Sequence, residues 1–140
     1  TEVYIDGFEI EASYATASGF YADFNGNIVD GEFLNGGGVI ADWNNIPANS
    51  YRLGFGKRFG GFDLRSESIL VEDLYLDGVL DTEGYYLHNL HAIWKPQVDG
   101  LRNLSLRLSV ENLFDEFYTN ALATRPGPGR TVRGTVSLQL

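Results

Sequence analysis

Residues 104–118, LSLRLSVENLFDEFY, carry the clearest structural pattern in this chain. It opens with strict alternation, in which Leu104, Leu106, Leu108 and Val110 fall on one side of an extended chain and polar residues fall on the other. A period of two predicts a β-strand with one apolar and one polar face. The acidic and aromatic residues that complete the stretch suit a level at which an apolar layer meets water, because aromatic side chains favour such interfaces.

Composition excludes several classes of function. The chain has 140 residues, with 19 Asp and Glu against 10 Lys and Arg, and a formal net charge of −9. We therefore expect no nucleic-acid partner, because binding to phosphates requires a basic face. The sequence contains no cysteine, which removes disulfides and thiolate metal sites. No apolar run approaches the roughly 20 residues that a membrane helix requires.

The same alternation predicts an all-β chain of about seven antiparallel strands. Two places are ambiguous: Asn25-Gly26 is a strong hairpin signal inside a predicted long strand, and the apolar phase shifts near Ile69. We favour one long strand at the first place and a β-bulge at the second, since a bulge restores the phase. The predicted strands cover residues 3–15, 20–33, 50–59, 62–75, 85–95, 104–110 and 130–140.

The connections alternate in length, which puts all the short ones at one edge of an up-and-down sheet. Residues 16–19, 60–61 and 97–103 form short turns, whereas 35–49, 76–84 and 121–129 form long loops. Outer-membrane barrels have this asymmetry. Several predicted strands also exceed the 5–6 residues usual in globular proteins, and about 9–11 tilted residues cross a bilayer. The sequence therefore predicts a segment of a transmembrane β-barrel, with a soluble β-sandwich as the alternative.

The chain resembles the C-terminal third of the TonB-dependent outer-membrane receptors. The densest match is Asn112, Leu113, Phe114 and Asp115, followed by Tyr118. A loop, the pair Gly129 and Arg130 and a last amphipathic strand then follow as in that family, whereas the final residue is Leu140 in place of the usual aromatic residue. Residues 46–49 and 84–87 also look like family positions.

The resemblance implies that residues 1–140 are the C-terminal part of a 22-stranded barrel, without the plug domain. It implies a receptor in the outer membrane of a Gram-negative cell that imports ferric siderophores, haem or a similar scarce ligand. The implied partners are outer-membrane lipid, the remaining strands, the plug and the TonB system. No enzymatic activity and no cofactor are expected. Open edge strands predict self-association where the remaining strands are missing.

Candidate residues fall into two groups by position. Charged residues on the polar face are expected to line the lumen, where mutual pairing is favoured over ligand steering: Glu9, Glu11, Arg52, Arg58, Arg65, Glu67, Arg107, Glu111 and Arg133. Loop residues are candidates for ligand contacts: Trp43, Asn44, Asn45, Tyr75 and Arg125. In the alternative β-sandwich, Trp43, Tyr75 and neighbouring loop aromatics would bind carbohydrate.

Three apparent chemical motifs are not favoured. Glu9 and Glu11 share a strand face, but this spacing suits lumen lining as well as it suits paired catalytic carboxylates. His88 and His91 are three residues apart on a strand and therefore lie on opposite faces, so they cannot hold one metal ion together. The stretch 23–34 begins like a calcium loop, but it lacks the required glycine and closing glutamate.

Overall fold

The computed structural model describes residues 2–35, 38–42, 46–75, 82–96, 99–100, 103–121 and 123–139. These residues contain no helix, and therefore none with the length and hydrophobicity of a membrane span. Their regular structure is entirely β. The strands are β1 (Glu2–Ala15), β2 (Phe20–Asn35), β3 (Gly38–Asp42), β4 (Ser50–Phe59), β5 (Phe62–Val71), β6 (Tyr85–Trp94), β7 (Leu104–Glu111) and β8 (Thr131–Leu138).

All eight strands belong to one antiparallel sheet. The main path runs β1-β2-β4-β5-β6-β7-β8, so that neighbours in the sheet are neighbours in the chain apart from β3. This confirms the predicted up-and-down order, with the short turns at one edge and the long loops at the other. The strands β1 and β8 form the two edges of the sheet.

Strand β3 corrects the prediction that residues 35–49 are entirely loop. The strand β2 is longer than β4 and passes its end, where Asn27 pairs with Ser50. The remaining half of β2 would leave one edge without backbone partners, and β3 folds back to pair with residues 32–35. The sequence does not predict this short strand, because the glycines and the proline of the segment are typical of a loop.

Strand β2 is continuous through Asn25-Gly26, as predicted. It forms a ladder with β1 in which Ile10 pairs with Gly26 and Glu11 with Asn25. The chain therefore does not turn at this Asn-Gly pair. A Cβ atom at Gly26 would lie 3.1 Å from the Ile10 side chain, so the glycine gives space to its cross-strand neighbour.

The bulge predicted near Ile69 is wrong. The strand β5 pairs with both β4 and β6 in unbroken register, with Ile69 opposite Arg52 and Leu87. Without a bulge, Ile69 stays on the polar face, and Ser66 and Ser68 stay on the apolar face. The continuous ladders with β4 and β6 keep the backbone of β5 paired on both sides. As a result, one apolar side chain lies on the polar face and two serines lie on the apolar face.

Directly opposed residues share a face, so the register assigns every strand residue to one of two faces. We call these the apolar face and the polar face. The apolar face includes Phe20, Leu53, Phe55, Phe59, Phe62, Leu64, Leu70, Leu90, Trp94, Leu106, Leu108, Val110, Val132 and Val136. The polar face includes Glu9, Glu11, Tyr21, Asp23, Arg52, Arg58, Asp63, Arg65, Glu67, Asn89, His91, Arg107, Glu111 and Arg133.

The apolar face is not covered by the rest of the described chain. Leu53 remains 55% exposed and Phe55 54% exposed, although both lie in the middle of the sheet. Among the described residues, the buried hydrophobic ones are limited to Ile46, Ala48 and Leu87. A soluble β-sandwich buries one face of each sheet in a common core. The described chain lacks that core.

Aromatic rings mark two levels on the apolar face. At the short-turn edge, Phe62 stacks against Phe59 at 5.8 Å and against Trp94 at 5.9 Å between ring centroids. Tyr51 and Tyr86 lie eight residues further along the same strands as Phe59 and Trp94. Eight residues span about 26 Å along a strand, or about 20 Å along the membrane normal at a tilt of roughly 40°. The spacing suits an apolar band between two aromatic girdles, which is about 25 Å tall in barrels.

Candidate functional site: the polar face and its long loops

Arg65 is the centre of the charged network on the polar face. Its guanidinium group binds both carboxylate oxygens of Asp23, at 2.5 and 2.9 Å, and one oxygen of Glu67 at 3.2 Å. The other Glu67 oxygen accepts a hydrogen bond from the Asn89 amide at 3.2 Å, and Arg52 lies 3.9 Å from Glu67. Bidentate arginine–carboxylate pairs fix geometry as well as charge. The network therefore ties β2, β4, β5 and β6 together.

One glycine on β4 allows this network to form. Asp23 on β2 and Arg65 on β5 are not on adjacent strands, and their side chains meet above Gly54 on the strand between them. A Cβ atom at Gly54 would lie 2.6 Å from the Arg65 guanidinium carbon and 2.7 Å from an Asp23 oxygen. Any larger residue would obstruct the ion pair.

A second pair of side chains crosses β4 in the same way. Tyr21 on β2 donates a hydrogen bond of 2.6 Å to Asp63 on β5, and its ring passes over Gly56. Asp63 also accepts a hydrogen bond of 3.1 Å from Arg58. The sequence pattern does not single out Tyr21, Asp23 and Asp63 as members of these networks. The available signal is the alternation of Gly54 and Gly56 with Leu53 and Phe55, because small residues on one face give space to long neighbours.

The predicted lumen charges all lie on the polar face, and most have charged partners. Arg52, Arg65 and Glu67 share one network, Arg58 pairs with Asp63, and Arg133 approaches Glu111 at 3.4 Å. Glu9 and Glu11 are exposed on edge strand β1, and Arg107 is exposed on β7. That this face lines a lumen remains a prediction.

The two histidines lie on opposite faces of β6, as predicted. His91 contacts the buried Ser109 hydroxyl at 3.0 Å on the polar face. His88 lies on the apolar face, within 3.2 Å of the Ser66 hydroxyl and 3.0 Å of the Ser68 hydroxyl. Across the described residues, no group of three or more His, Asp or Glu side chains is arranged to hold a metal ion.

Asn112 anchors the loop that follows β7. Its side chain is 4% exposed, and its backbone lies in the left-handed region with φ of 52°. The Asn112 side-chain amide donates to the carbonyl oxygens of Glu116 at 2.8 Å and Pro128 at 3.2 Å, and its side-chain oxygen accepts from the Glu116 N–H at 2.8 Å. The Asn112 N–H itself donates to Asn89 at 2.9 Å. One asparagine thus joins both ends of the loop to the charged network.

The other motif residues complete this loop. Asp115, with φ of 59°, accepts a hydrogen bond of 2.7 Å from the Arg130 N–H, and a Cβ atom at Gly129 would lie 2.8 Å from its carboxylate. Tyr118 packs its ring against Tyr85 at 4.5 Å, and its carbonyl oxygen accepts from the Gly127 N–H. In the described structure these residues hold the loop between β7 and β8 in its conformation. Leu113 donates its N–H to the His88 carbonyl at 2.8 Å, and the Phe114 ring lies 5.8 Å from the His88 ring.

The predicted ligand contacts are not brought together in the described structure. Trp43, Asn44 and Asn45 lie outside the described residues. Tyr75 is 70% exposed after β5 and donates to Asp73 at 3.2 Å, whereas Arg125 is exposed in the separate loop between β7 and β8. Their role in ligand binding stays a prediction.

The geometry defines a class of protein fold. One uncovered, up-and-down antiparallel sheet with an apolar face, a charged face and long loops at one edge is the wall of a large β-barrel. Solved structures agree. The chain is similar to the copper transporter OprC, with a TM-score of 0.83 and 22% identity. It is also similar to the FrpB iron transporter from Neisseria meningitidis, with a TM-score of 0.77 and 23% identity for the apoprotein form.

These similarities cover 97% of this chain but only 24% of each transporter. The chain therefore spans about a quarter of the length of the transporters it matches. It has the fold of a barrel segment of such a transporter, which confirms the predicted fold. No protein-family model matches the sequence, and no curated protein matches it.

Proposed function

We propose that this chain is the C-terminal wall segment of a TonB-dependent receptor in the outer membrane of a Gram-negative bacterium. The main evidence is the uncovered apolar face between two aromatic levels, because such a face requires lipid as its surroundings. The two similar structures are a copper transporter and an iron transporter, which supports a role in metal uptake. The alternative of a soluble carbohydrate-binding sandwich lacks its core among the described residues.

In this proposal the polar face lines the lumen and the long loops face the outside of the cell. The paired charges of Arg65, Asp23 and Glu67 keep the wall hydrated and rigid, with no chemistry of their own. The remaining barrel strands pair with β1 and β8, a plug domain fills the lumen, and the TonB system supplies energy through that plug. The imported ligand is a ferric siderophore, haem or another scarce metal complex.

The proposal is tested in cells with the full-length protein that carries this segment. Outer-membrane fractions should contain the protein, and heating before electrophoresis should change its mobility, as unfolding of a barrel does. Three ligands are supplied separately: a ferric siderophore, haem and copper. Deleting the gene should abolish the uptake of one of them, and loss of TonB should have the same effect. Normal uptake of all three in the deletion strain would refute the transport role, and a soluble protein would refute the location.

A further inference from the structure

A polar cluster lies on the apolar face, where the proposed function places lipid. It consists of Ser66 and Ser68 on β5 and Tyr86 and His88 on β6. The His88 Nδ1 atom lies 3.0 Å from the Ser68 hydroxyl and 3.1 Å from the Tyr86 hydroxyl, and its Nε2 atom lies 3.2 Å from the Ser66 hydroxyl. Ser68 and Tyr86 are 2.9 Å apart. Polar groups inside a membrane are costly, and they usually have a function.

The cluster extends inward from the aromatic level on the long-loop side. Tyr86 lies at that level, and His88 is two residues deeper on the same strand. Ser66 pairs with Leu90, which lies midway between Tyr86 and Trp94. Two residues correspond to about 5 Å of depth at the usual tilt of barrel strands. The Tyr86 and Ser68 hydroxyls therefore lie near the boundary of the apolar band, and Ser66 lies near its middle.

The cluster has more polar hydrogens than acceptors that can use them. A neutral imidazole offers one N–H donor and one nitrogen acceptor, and the three hydroxyls add three donors. If Nε2 carries the hydrogen, it donates to Ser66, whose own hydrogen then has no acceptor inside the cluster. If Nδ1 carries the hydrogen, Ser66 donates to Nε2. One of the hydroxyls of Ser68 and Tyr86 then lacks an acceptor.

The second tautomer is the less costly one in lipid. It satisfies Ser66 in the middle of the band, where no water is present, and places the spare hydrogen near the boundary. The boundary of the hydrocarbon is also where the ester carbonyl groups of a lipid lie. The cluster contains no Lys, Arg, Asp or Glu, so it suits a neutral acceptor such as a carbonyl oxygen better than a phosphate.

An apolar groove continues from the cluster toward the short-turn edge. Its volume is about 450 Å³, and its lining includes Phe55, Lys57, Leu64, Ser66, Leu90, Ala92 and Leu108. The Lys57 ammonium group lies 4.1 Å from the centre of the Phe20 ring, at the end of the groove away from the cluster. Ser66 belongs to both the cluster and the groove. Hydrogen-bond donors near the boundary, followed by an apolar groove that begins near the middle of the band, match the order of an ester group and its acyl chain.

We propose that this surface binds one ester-linked acyl lipid. The lipid carbonyl accepts the spare hydrogen of Ser68 or Tyr86, and the acyl chain lies in the groove. The proposal rests on the proposed function, because it requires this face to contact the membrane.

Native mass spectrometry of the full-length barrel in detergent tests the proposal. The probes are two phosphatidylethanolamines with identical headgroups and chain lengths, one with ester linkages and one with ether linkages. The ether lipid lacks the carbonyl oxygens. Since one hydrogen bond is worth about 0.5–1.5 kcal/mol net, the unmodified barrel should bind the ester lipid roughly two- to tenfold more tightly.

Three variants separate the parts of the site. The double variant Ser68→Ala, Tyr86→Phe should lose the preference for the ester lipid while keeping its fold. Ala92→Leu fills the groove and should weaken the binding of both lipids. Ala12→Leu is the matched control, because Ala12 is exposed on the same face of β1, away from the groove. It should bind like the unmodified barrel.

Equal binding of the ester and ether lipids would overturn the proposal, and so would a preference that survives the double variant. Occupation of the groove by a second copy of the barrel, detected as a dimer that excludes lipid, would overturn it as well. These outcomes are distinct from a failure of the proposed function. A protein absent from the outer membrane refutes that function, whereas a membrane-embedded barrel without the ester preference refutes this inference alone.

Discussion

Replacing Asn112 by alanine should be among the most destabilising single changes in this segment. The change removes three hydrogen bonds of the buried side chain, to Glu116 twice and to Pro128 once. At about 0.5–1.5 kcal/mol each, these bonds contribute roughly 1.5–4.5 kcal/mol. Alanine must also adopt the φ of 52°, which costs about 1 kcal/mol more than for asparagine. We therefore expect a loss of about 2.5–5.5 kcal/mol.

Asn112→Gly separates the two contributions. Glycine adopts positive φ without a steric penalty but makes no side-chain hydrogen bonds, so it should cost about 1.5–4.5 kcal/mol. Asn25→Ala serves as the control, because Asn25 is exposed on the same sheet. This control should change stability by about 0.5 kcal/mol or less.

The measurement is a urea titration of the full-length barrel folded in lipid, combined with limited proteolysis. Loss of the anchor should expose residues 112–130 to protease before the rest of the sheet unfolds. An Asn112→Ala variant as stable and as protease-resistant as Asn25→Ala would refute the anchoring role. If Asn112→Gly regained full stability, the backbone conformation would be the cause and the hydrogen bonds would not.

Three further predictions concern the faces and the orientation of the sheet. Leu90→Arg places a charge midway between the aromatic levels and should cost about 2–4 kcal/mol in a lipid refolding titration. His91→Arg, on the polar face, should cost about 1 kcal/mol or less. Equal costs would contradict the assignment of faces. Gly54→Ala should displace Arg65 and destabilise the barrel by about 1–3 kcal/mol in the same titration. At Gly134 an added Cβ atom would meet nothing within 4 Å, so Gly134→Ala should be neutral or stabilising. A protease site inserted in residues 121–129 should be cleaved on intact cells, and one inserted in residues 97–103 should be protected. The reverse result would invert the proposed orientation.

The sequence predicts the sheet well because a period of two is a strong and repeated signal. The strand at residues 50–59 has the predicted bounds, and the other main strands differ by a few residues at their ends. The errors arise where tertiary pairing outweighs local pattern. Residues 38–42 form a strand because β2 offers them a free edge, and β5 remains continuous at Ile69 because both neighbouring ladders hold it. Neither partner is visible in the local sequence.

The polar face is less predictable than the strands. Alternation assigns Arg52, Arg65 and Glu67 to one face but does not say which side chains meet, because partners depend on register across several strands. Asp23 joins Arg65 only because Gly54 lies between them. The resemblance to a receptor family points to the Asn112 motif, whereas its anchoring contacts depend on the three-dimensional path of the loop.

The ion pair that passes over Gly54 also has a consequence for how strands add to a growing barrel. Hydrophobic alternation penalises a slip of one residue, which exchanges the faces, but it does not detect a slip of two. A two-residue slip of β4 against either neighbour would move Asp23 and Arg65 apart by about 7 Å along the strands. A slip of either the β2–β4 or the β4–β5 pairing alone therefore separates Asp23 from Arg65. A single salt bridge thus favours the correct register in two strand pairings.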